Sequence, residues 1–544
     1  MKLRNLMWGA CACILATGCS NDDVAVENSN NVTGNNGNAY MKVRISMAGG
    51  AGSRATEGGY DYGTETEQTI KNVFFMFYDD NGNWVADGEQ QENVTVDGND
   101  SAEGTPDGNI EAIAEAVVAL KLDENATFPT QVVAYVNMGD QQTTFSKKSI
   151  DDIKALTASG YGSADNGFMM TNSTYWDGGE TISTAVDRSN FFETDEAAMN
   201  SNPVDIYVER LAAKVTVQNS TPTIEDIDAG NYTLVFNPEG YAVSGINTSE
   251  YYLKHLQDWT AWTWNWNNAG DHRSFWAEDP NYTTTGGLDY LTYNEATAHQ
   301  MGEAQYCTEN TMNATLAGNY NASTFLLLVG QYQVEDADGD PVNLSTESDG
   351  YLYMYAGTAY MANDLKARLL NQAADNELAW VSTGENQYEQ ADASAYSITR
   401  VGTTNTVTLA LNPAEETTYY TRSGDAEPYT YTPIDDVDTY NENLADYLTY
   451  FGSVEAFNNG RAYFAVPIEH FGGTGEGTDV AGAVGVVRNH SYALTVTKVT
   501  GLGEGVFDPE DDIIPSDETK TYYVAATLNI LSWKTVSQEV SFGN

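Results

Sequence analysis

The chain has 544 residues, of which 78 are acidic and 24 are basic, so its formal net charge is −54. A surface this acidic repels phosphate backbones, and nucleic acid is therefore excluded as a natural partner. With 41% hydrophobic residues and 35 tyrosines, the chain is too apolar for a disordered acidic protein and long enough to build substantial cores.

The N-terminus has the features of a secretory signal peptide. Lys2 and Arg4 supply a basic start, and residues 6–16 form an apolar stretch that is too short to span a bilayer. We predict that residues 1–18 are removed. Residues 19–38 are polar and rich in Asn and Gly, which predicts a flexible tether.

Cys19 follows three small residues at 16–18, Ala-Thr-Gly, and this stretch resembles the lipobox of bacterial lipoproteins. The resemblance implies cleavage before Cys19 and acylation of that residue, palmitate included, which anchors the protein to a membrane. Asp22 and Asp23 follow, and an acidic tract in this place is similar to the surface-export signal of Bacteroidota lipoproteins. The alternative is an ordinary secretory signal with a chance cysteine.

Ordered structure is predicted to begin near residue 40. Apolar residues alternate with polar ones over the next segment, at Met41, Val43, Ile45 and Met47. A period of two is typical of a strand with one buried face. Residues 49–59 then form a Gly-rich loop around Arg54, which is predicted to be accessible to a protease.

Most of the remaining pattern also indicates strands. They are predicted at 73–78, 114–122, 130–137, 204–217, 232–237, 324–332, 350–354, 462–467, 491–499 and 522–530. Short helices are predicted at 150–158, 364–374 and 444–457. A polar segment at 218–230 marks the predicted domain boundary. The pattern predicts an all-β fold of two β-sandwich domains, over 39–222 and 223–544, with a few short helices in insertions.

Signals for catalysis are weak. The five histidines are scattered, and the sequence contains no His-Glu-x-x-His pair, nucleophile elbow or phosphate-binding loop. Apart from Cys19, the predicted mature chain has one cysteine, Cys307, so no intramolecular disulfide is expected. Residues 336–347 imitate part of a calcium loop, but Pro341 stands where that loop needs a glycine. We therefore predict no enzyme, no cofactor and no metal site, and a hairpin turn at 336–340.

Five tryptophans cluster in eighteen residues: Trp259, Trp262, Trp264, Trp266 and Trp276. Aromatic side chains can stack on the apolar faces of sugar rings, but indoles also fill cores because their burial is large. Packing is the favoured interpretation, and binding of a sugar by this region stays open.

The most informative combination is a pair of one-faced strand patterns at the two ends of the chain. In the tail at 524–544, Val536, Val540 and Phe542 share one parity. If cleavage after Arg54 frees the removable strand at 39–54, a groove with two unpaired edges is exposed. The tail of a second molecule can fill that groove by β-strand addition. From the pattern alone, two ordinary edge strands in a monomer are an equal alternative.

Several stretches resemble the Bacteroidales fimbrilins, in particular the shaft-subunit family of the minor fimbrium, a type V pilus. They are residues 208–215 (VERLAAKV), 272–277 (HRSFWA), 487–496 (VRNHSYALTV) and the ending 528–542. Residues 53–55 (Ser-Arg-Ala) stand where the family's processing site stands. The resemblance implies two transthyretin-like domains, lipoprotein export across the outer membrane, trimming by an Arg-specific protease and polymerisation by strand exchange.

The leading hypothesis is a structural shaft subunit of a cell-surface fimbrium that supports adhesion. Its expected partners are other copies of itself, accessory fimbrial subunits, the Arg-specific processing protease, and host or bacterial surface ligands. The alternative is a tip or accessory adhesin that binds glycan or host protein. The donor-like tail favours the shaft, because a tip subunit has no subunit above it to receive a strand.

Overall fold

The computed structural model describes residues 38–48, 63–96, 110–122, 128–163, 165–262, 266–470, 484–515, 523–531 and 536–539. Strands dominate these residues and the helices among them are few and short, which confirms the predicted all-β class. The α-helices are Gln142–Phe145, Ile150–Lys154, Asp195–Met199, Tyr293–Ala296, Leu344–Glu347, Ala362–Gln372 and Val437–Thr449. Single 3-10 turns cover Gly139–Gln141, Arg188–Asn190, Ala269–Asp271 and Ala393–Ala395.

An N-terminal sheet organises the first part of the chain. Its strands, in spatial order, are Trp84–Asp87, Asn72–Tyr78, Gln131–Val136, Met170–Asn172, Val204–Arg210, Asn38–Ala48 and Ile110–Lys121. Thr184–Ala185 pairs with the third of these, and Gln91–Glu92 pairs with the second. We call Asn38–Ala48 the first strand. It lies inside the sheet and not at its edge.

The two ends of this sheet meet, so the layer closes on itself. Gly88 forms a β-bridge with Leu120, and the amide of Glu89 donates to the carbonyl of Ala119 at 2.7 Å. Gly88 is required by this close approach, because a Cβ there would lie 2.7 Å from a methyl group of Val118.

Burial on both faces explains the apolar run at 73–78. Phe75 and Phe77 point into the core that the first strand also fills. Phe74 and Met76 point to the other side, where they form a second core with Ile153 and its helix. That helix begins at a capping box, in which Ser149 accepts from the amide of Asp152 at 3.1 Å and Asp152 caps the amide of Ser149 at the same distance.

The chain leaves the N-terminal sheet at 211–212 and enters a pair of sheets, which we call the C-terminal sandwich. One sheet contains, in order, Ala304–Cys307, Ala213–Val217, Ser491–Thr500, Tyr523–Leu531 and Val536–Glu539, with Thr223–Ile224 beside Ser491–Thr500. The other contains Ile227–Asp228, Thr233–Ser244, Phe325–Glu335, Arg461–Pro467 and Glu504–Gly505. Their inner faces share one apolar core. The crossing at 211–212 lies before the predicted boundary at 218–230, because Ala213–Val217 already pairs with Ser491–Thr500.

An inserted region, residues 351–458, adds a third body of structure that the sequence did not predict. One sheet contains Thr358–Tyr360, Tyr351–Tyr355, Val454–Asn458, Thr406–Leu411 and Tyr396–Arg400. A second contains Gln387–Gln390, Ala379–Gly384, Tyr419–Ser423 and Thr430–Pro433. The two longest helices of the described chain, Ala362–Gln372 and Val437–Thr449, pack with these sheets around a separate core. The predicted helix at 444–457 is wrong over its second half, where Val454–Asn458 is a strand.

The remaining strands are pairs of two residues each. They are Tyr175–Trp176 with Glu180–Thr181, Ile246–Asn247 with Leu288–Asp289, Glu250–Tyr251 with Thr157–Ala158, Asn267–Asn268 with Arg273–Ser274, Asn310–Thr311 with Gly485–Val486, and Gly162–Ser163 with Gly167–Phe168.

Candidate functional site

The first strand lies between two other strands over residues 43–47 and pairs with one strand over the rest of its length. It pairs with Ile110–Lys121 in antiparallel orientation through eleven residue pairs, from Asn38 opposite Lys121 to Ala48 opposite Ile110. On its other side it pairs in parallel with Val204–Arg210 through five residue pairs. Loss of this strand therefore exposes two backbone edges that face each other across a gap one strand wide.

The buried face of the first strand matches the predicted residues. Met41, Val43 and Ile45 are fully buried and Met47 is 1% exposed, in the core that contains Phe75 and Val118. Burial of side chains of this size stabilises a fold by about 2 kcal/mol each, as an upper estimate. Removal of the strand would leave a row of four apolar pockets in this core.

The outer face of the first strand is held by charge. The Lys42 ammonium lies 2.9 Å from the carboxylate of Glu115, and the Arg44 guanidinium lies 3.2 Å from Glu115 and 3.1 Å from Asp205. Partial burial alone would raise the pKa of Glu115, but the two cations hold that pKa below its usual value. Lys42 and Arg44 thus tie the first strand to the strands on both sides.

Just beyond the predicted cleavage loop, Glu67 fixes the chain to the rest of the molecule. The Arg210 guanidinium donates to the backbone carbonyl of Glu67 at 3.1 and 2.9 Å. The carboxylate of Glu67, 1% exposed, accepts from Lys214 at 2.9 Å, from the Tyr306 hydroxyl, and from the amide of Thr64 at 2.6 Å. Burial alone would raise the pKa of Glu67, but Tyr306 and Lys214 hold it below its usual value.

The stretches around 209, 273 and 488 converge on a buried polar junction between the N-terminal sheet and the C-terminal sandwich. Lys254 and Glu209 form a fully buried ion pair at 2.9 Å. Arg488 pairs with Glu309 at 2.9 Å, also without exposure. The Arg273 guanidinium donates to the backbone carbonyl of residue 489 at 2.6 Å. These interactions join segments that are far apart in sequence. The Lys254–Glu209 pair connects the N-terminal sheet to the C-terminal half, and the other two hold the C-terminal side of the junction together.

Glu250 is the least satisfied member of this junction. One carboxylate oxygen lies 3.8 Å from Arg488, and the other has no hydrogen-bond partner among the described residues. Burial, together with the charges of Glu309 and Asp279, raises the pKa of Glu250 to about 8 in spite of Arg488. The folded protein therefore holds a proton on Glu250 at neutral pH.

A pH-dependent effect of Glu250→Gln follows from this proton. The unfolded chain releases it near the usual pKa of 4.5, whereas the folded protein releases it only near 8, so this residue lowers stability progressively as pH rises between those values. The neutral amide avoids that loss. We expect the free energy of unfolding of the variant, relative to the parent, to increase from pH 5 to pH 9 in urea titrations. The exposed change Glu442→Gln is the control, and a difference that does not grow with pH would contradict the assignment.

The tail strand, Val536–Glu539, folds back as the edge of the C-terminal sandwich. It pairs with Tyr523–Leu531 through four residue pairs, with Val536 opposite Ile530, and has one neighbouring strand among the described residues. Cys19, Arg54, Val540 and Phe542 lie outside the described residues. The predicted lipidation site, the cleavage site and the donor role of Val536, Val540 and Phe542 therefore stay predictions.

The described tryptophans of the cluster are packed inside the protein. Trp259, Trp266 and Trp276 are 8%, 6% and 0% exposed and share one core with Leu256 and Val487. Trp262 stacks on Trp259 with ring centroids 5.0 Å apart, and residue 264 lies outside the described residues. The geometry agrees with the packing interpretation.

Three further features of the described residues bear on the predictions. The described helices include none that is long and apolar enough to cross a membrane. Among the same residues, no group of three or more His, Cys, Asp or Glu side chains has the arrangement of a metal site. At 336–340 the chain makes a hairpin tip, in which Asp336 accepts from the amides of Asp338 and Asp340 at 2.9 Å each.

Sequence reasoning missed Glu67, Lys254, Glu250 and Glu309. Each is a single charged residue whose partner lies between 45 and 239 positions away in sequence. The one local signal was the Glu-Arg dipeptide at 209–210, at the end of a strand in which Asp205 is the one other charged residue, since buried charges occur where they are paired.

Two family models match this chain. The model described as "Major fimbrial subunit protein (FimA)" matches residues 39–210, and the model described as "Major fimbrial subunit protein type IV, Fimbrillin, C-terminal" matches residues 455–539. The first match begins inside the first strand and ends at the last residue of the N-terminal sheet. Among curated protein sequences, none matches this chain.

Several solved structures are loosely similar. A fimbrilin from Porphyromonas gingivalis W83 is 13% identical, with a TM-score of 0.36, and the match covers 91% of this chain and 98% of that one. A candidate cell adhesion protein from Parabacteroides distasonis ATCC 8503 is 11% identical, with a TM-score of 0.37 and coverage of 92% and 98%. A fimbrial assembly protein from the same strain is 12% identical, with a TM-score of 0.26 and coverage of 73% and 100%. Overlaps this loose support no inference about the chain.

Proposed function

We propose that this chain is a fimbrilin, a subunit of a cell-surface fimbrium and not an enzyme, and that it forms the shaft by strand exchange. The matches to two fimbrial-subunit models, over residues 39–210 and 455–539, support the family. The observation that carries the proposal is the position of the first strand, which fills a gap between two strands and buries all four predicted apolar side chains. A plug of this kind blocks addition of a donor strand until it is detached.

Cleavage after Arg54 is the step that detaches the plug. While the first strand is tethered, its effective concentration at the groove is about millimolar or higher, so a donor strand from solution cannot compete. Cutting by an Arg-specific protease removes that advantage. The Glu67 anchor begins thirteen residues after Arg54, and its bonds to Arg210, Lys214 and Tyr306 keep the body of the subunit in place when the segment at 39–54 leaves.

The tail strand has more strand neighbours in the groove of a second subunit than at the edge of its own. At the edge of its own subunit it pairs on one side through four residue pairs. In the groove of a second subunit it meets two strands, Ile110–Lys121 and Val204–Arg210. Val536, Val540 and Phe542 are the side chains proposed for the emptied pockets, and their alternation fixes the register. A tail that can serve the next subunit favours a shaft position over a tip position.

Export as a lipoprotein completes the proposal. The stretch before Cys19 supports acylation of that residue, and the acidic residues that follow it support transport to the cell surface. Labelling of the parent, but not of Cys19→Ala, by an alkynyl fatty acid tests this step independently of assembly.

The assembly step is tested with two variants, Arg54→Ala and a chain that ends at Ser532. The parent is expected to form ladders of SDS-resistant oligomers after limited trypsin treatment, because cutting frees the groove and the tail is present. Neither variant is expected to form them, since the first keeps its plug and the second lacks its donor. Ladders from either variant equal to those of the parent would refute strand exchange through these segments.

A further inference from the structure

A wide groove separates the inserted region from the C-terminal sandwich. Its volume is about 1020 Å³. One wall is formed by 354–357 and 451–455, the floor by the turn at 403–406, and the other wall by 502–514. We call it the docking groove. Its lining includes no residue of the first strand, of the two strands beside it or of the described tail strand, so the proposed strand exchange leaves it open.

Large exposed apolar side chains collect at this groove. The described chain has five of them: Met199, Val401, Tyr450, Phe451 and Ile514. Phe451 and Ile514, 45% and 46% exposed, line the groove itself. Tyr450 packs against Phe451 with ring centroids 5.4 Å apart. Val401 is outside the lining, but its amide donates to the carbonyl of Thr406, in the floor, at 2.9 Å. Such a concentration marks an interaction surface more often than chance exposure does.

The charge of the lining is negative. Its carboxylates belong to Glu455, Glu504, Asp508, Asp511 and Asp512, and its cation is Arg400. Arg400 is paired within the subunit: its guanidinium lies 2.6 Å from the carboxylate of Asp511 and 4.6 Å from the ring centre of Phe507. Glu504 is 4% exposed and accepts from the Tyr463 hydroxyl at 2.8 Å. Glu455 accepts from the amide of Gly505 at 3.0 Å. Asp508 and Asp512 are exposed beside the apolar rim, and one oxygen of Asp508 accepts from the amide of Glu510 at 3.0 Å.

We propose that the docking groove binds a short segment of a partner protein in which an apolar anchor is flanked by Lys or Arg. The anchor packs on Phe451 and Ile514, and the basic residues pair with Asp508 and Asp512. Charge complementarity selects this occupant, since it draws a cationic segment to the site. A second copy of this chain, with 24 basic against 78 acidic residues, offers few segments of this charge pattern.

The probe is a labelled hexapeptide, Lys-Phe-Lys-Leu-Lys-Phe, that carries a photo-crosslinking group in place of one Phe ring. We expect saturable binding by fluorescence polarisation and crosslinks that map by mass spectrometry to 451–455 and 502–514. The double change Phe451→Ser, Ile514→Ser should weaken binding about tenfold or more, as loss of a central anchor does. The change Met199→Ser, at an exposed apolar residue elsewhere, is the matched control and should have no effect.

Charge is tested in the same way. The double change Asp508→Asn, Asp512→Asn should weaken binding of the peptide. The remote double change Asp338→Asn, Asp425→Asn should not. Crosslinks spread over the acidic surface, equal losses in target and control variants, or equal binding of Lys-Ser-Lys-Ser-Lys-Ser would each overturn the proposal. So would self-association of the uncleaved parent that Phe451→Ser, Ile514→Ser abolishes in sedimentation experiments, because the occupant is then a second copy. All four variants should still form trypsin-dependent ladders, which separates this proposal from the proposed function.

Discussion

The double variant Tyr40→Cys, Ala119→Cys is expected to be cut after Arg54 as readily as the parent and yet to form no polymer until its disulfide is reduced. Residues 40 and 119 are directly opposite in the antiparallel pairing of the first strand with Ile110–Lys121. Opposed residues in such a pair have Cα atoms about 4.5 to 5.5 Å apart, within the range that a disulfide spans. Both face away from the core, so the buried row and the ion pairs of Lys42 and Arg44 stay intact.

The physical reason is that the disulfide replaces the covalent tether that cleavage removes. The plug then stays in the groove, and the tail strand of another subunit cannot enter. The measurement compares ladders on SDS gels with and without dithiothreitol, after proteolysis is complete. Tyr40→Cys alone is the control and should polymerise. Cys307 does not interfere, because burial raises the pKa of its thiol to about 12. Polymer formed by the oxidised, cleaved double variant would show that the first strand does not need to leave.

The second large effect concerns the buried ion pair at the junction. Lys254→Met is expected to lower the free energy of unfolding by about 3 to 5 kcal/mol, because it leaves Glu209 buried without its cation. Lys254 is fully buried and also donates to the backbone carbonyl of Ser274 at 3.2 Å. Burial lowers the pKa of Lys254, although Glu209 opposes that shift. The measurement is urea unfolding followed by tryptophan fluorescence.

Two comparisons make this result specific. Lys498→Met removes a surface ion pair with Glu225, 2.6 Å long and about half exposed on both sides, and should cost less than about 1 kcal/mol. The double change Lys254→Met, Glu209→Leu should recover most of the loss, because no buried charge is then left unpaired. If Lys254→Met costs no more than Lys498→Met, the junction is not held by this pair.

Local patterns predicted the first strand well. The alternation at 41–47 identified its buried face, because a period of two depends only on which residues are apolar. Its place inside the sheet was not predictable from that pattern, since an edge strand and an internal strand with one solvent-facing side alternate alike. The pairing with Ile110–Lys121 and Val204–Arg210 depends on distant segments, and in the second case Arg44 and Asp205 are 161 positions apart.

The errors also have identifiable causes. Leu444 and Leu448 were correctly assigned to one helical face, but the helix begins earlier, where the side chain of Asp436 accepts from the amide of Thr439 at 3.1 Å. It ends before Gly452, whose φ of +128° no helix allows. The crossing at 211–212 carries no Gly or Pro and sits inside a continuous β pattern, so sequence alone placed the boundary at the next polar segment, 218–230.

The strand Val204–Arg210 gives a polymer of this kind a defined mechanical path. It lines the groove, so a pull from the next subunit reaches it as shear along a ladder whose hydrogen bonds are loaded together. Its last two residues, Glu209 and Arg210, then transmit the load through the ion pair with Lys254 and the carbonyl of Glu67. In the proposed fibre, the Lys254–Glu209 pair shares the load between the two halves with the backbone at 211–212 and with the pairing of Glu250–Tyr251 and Thr157–Ala158. Buried charge at the junction thus adds tensile strength to a fibre assembled in this way.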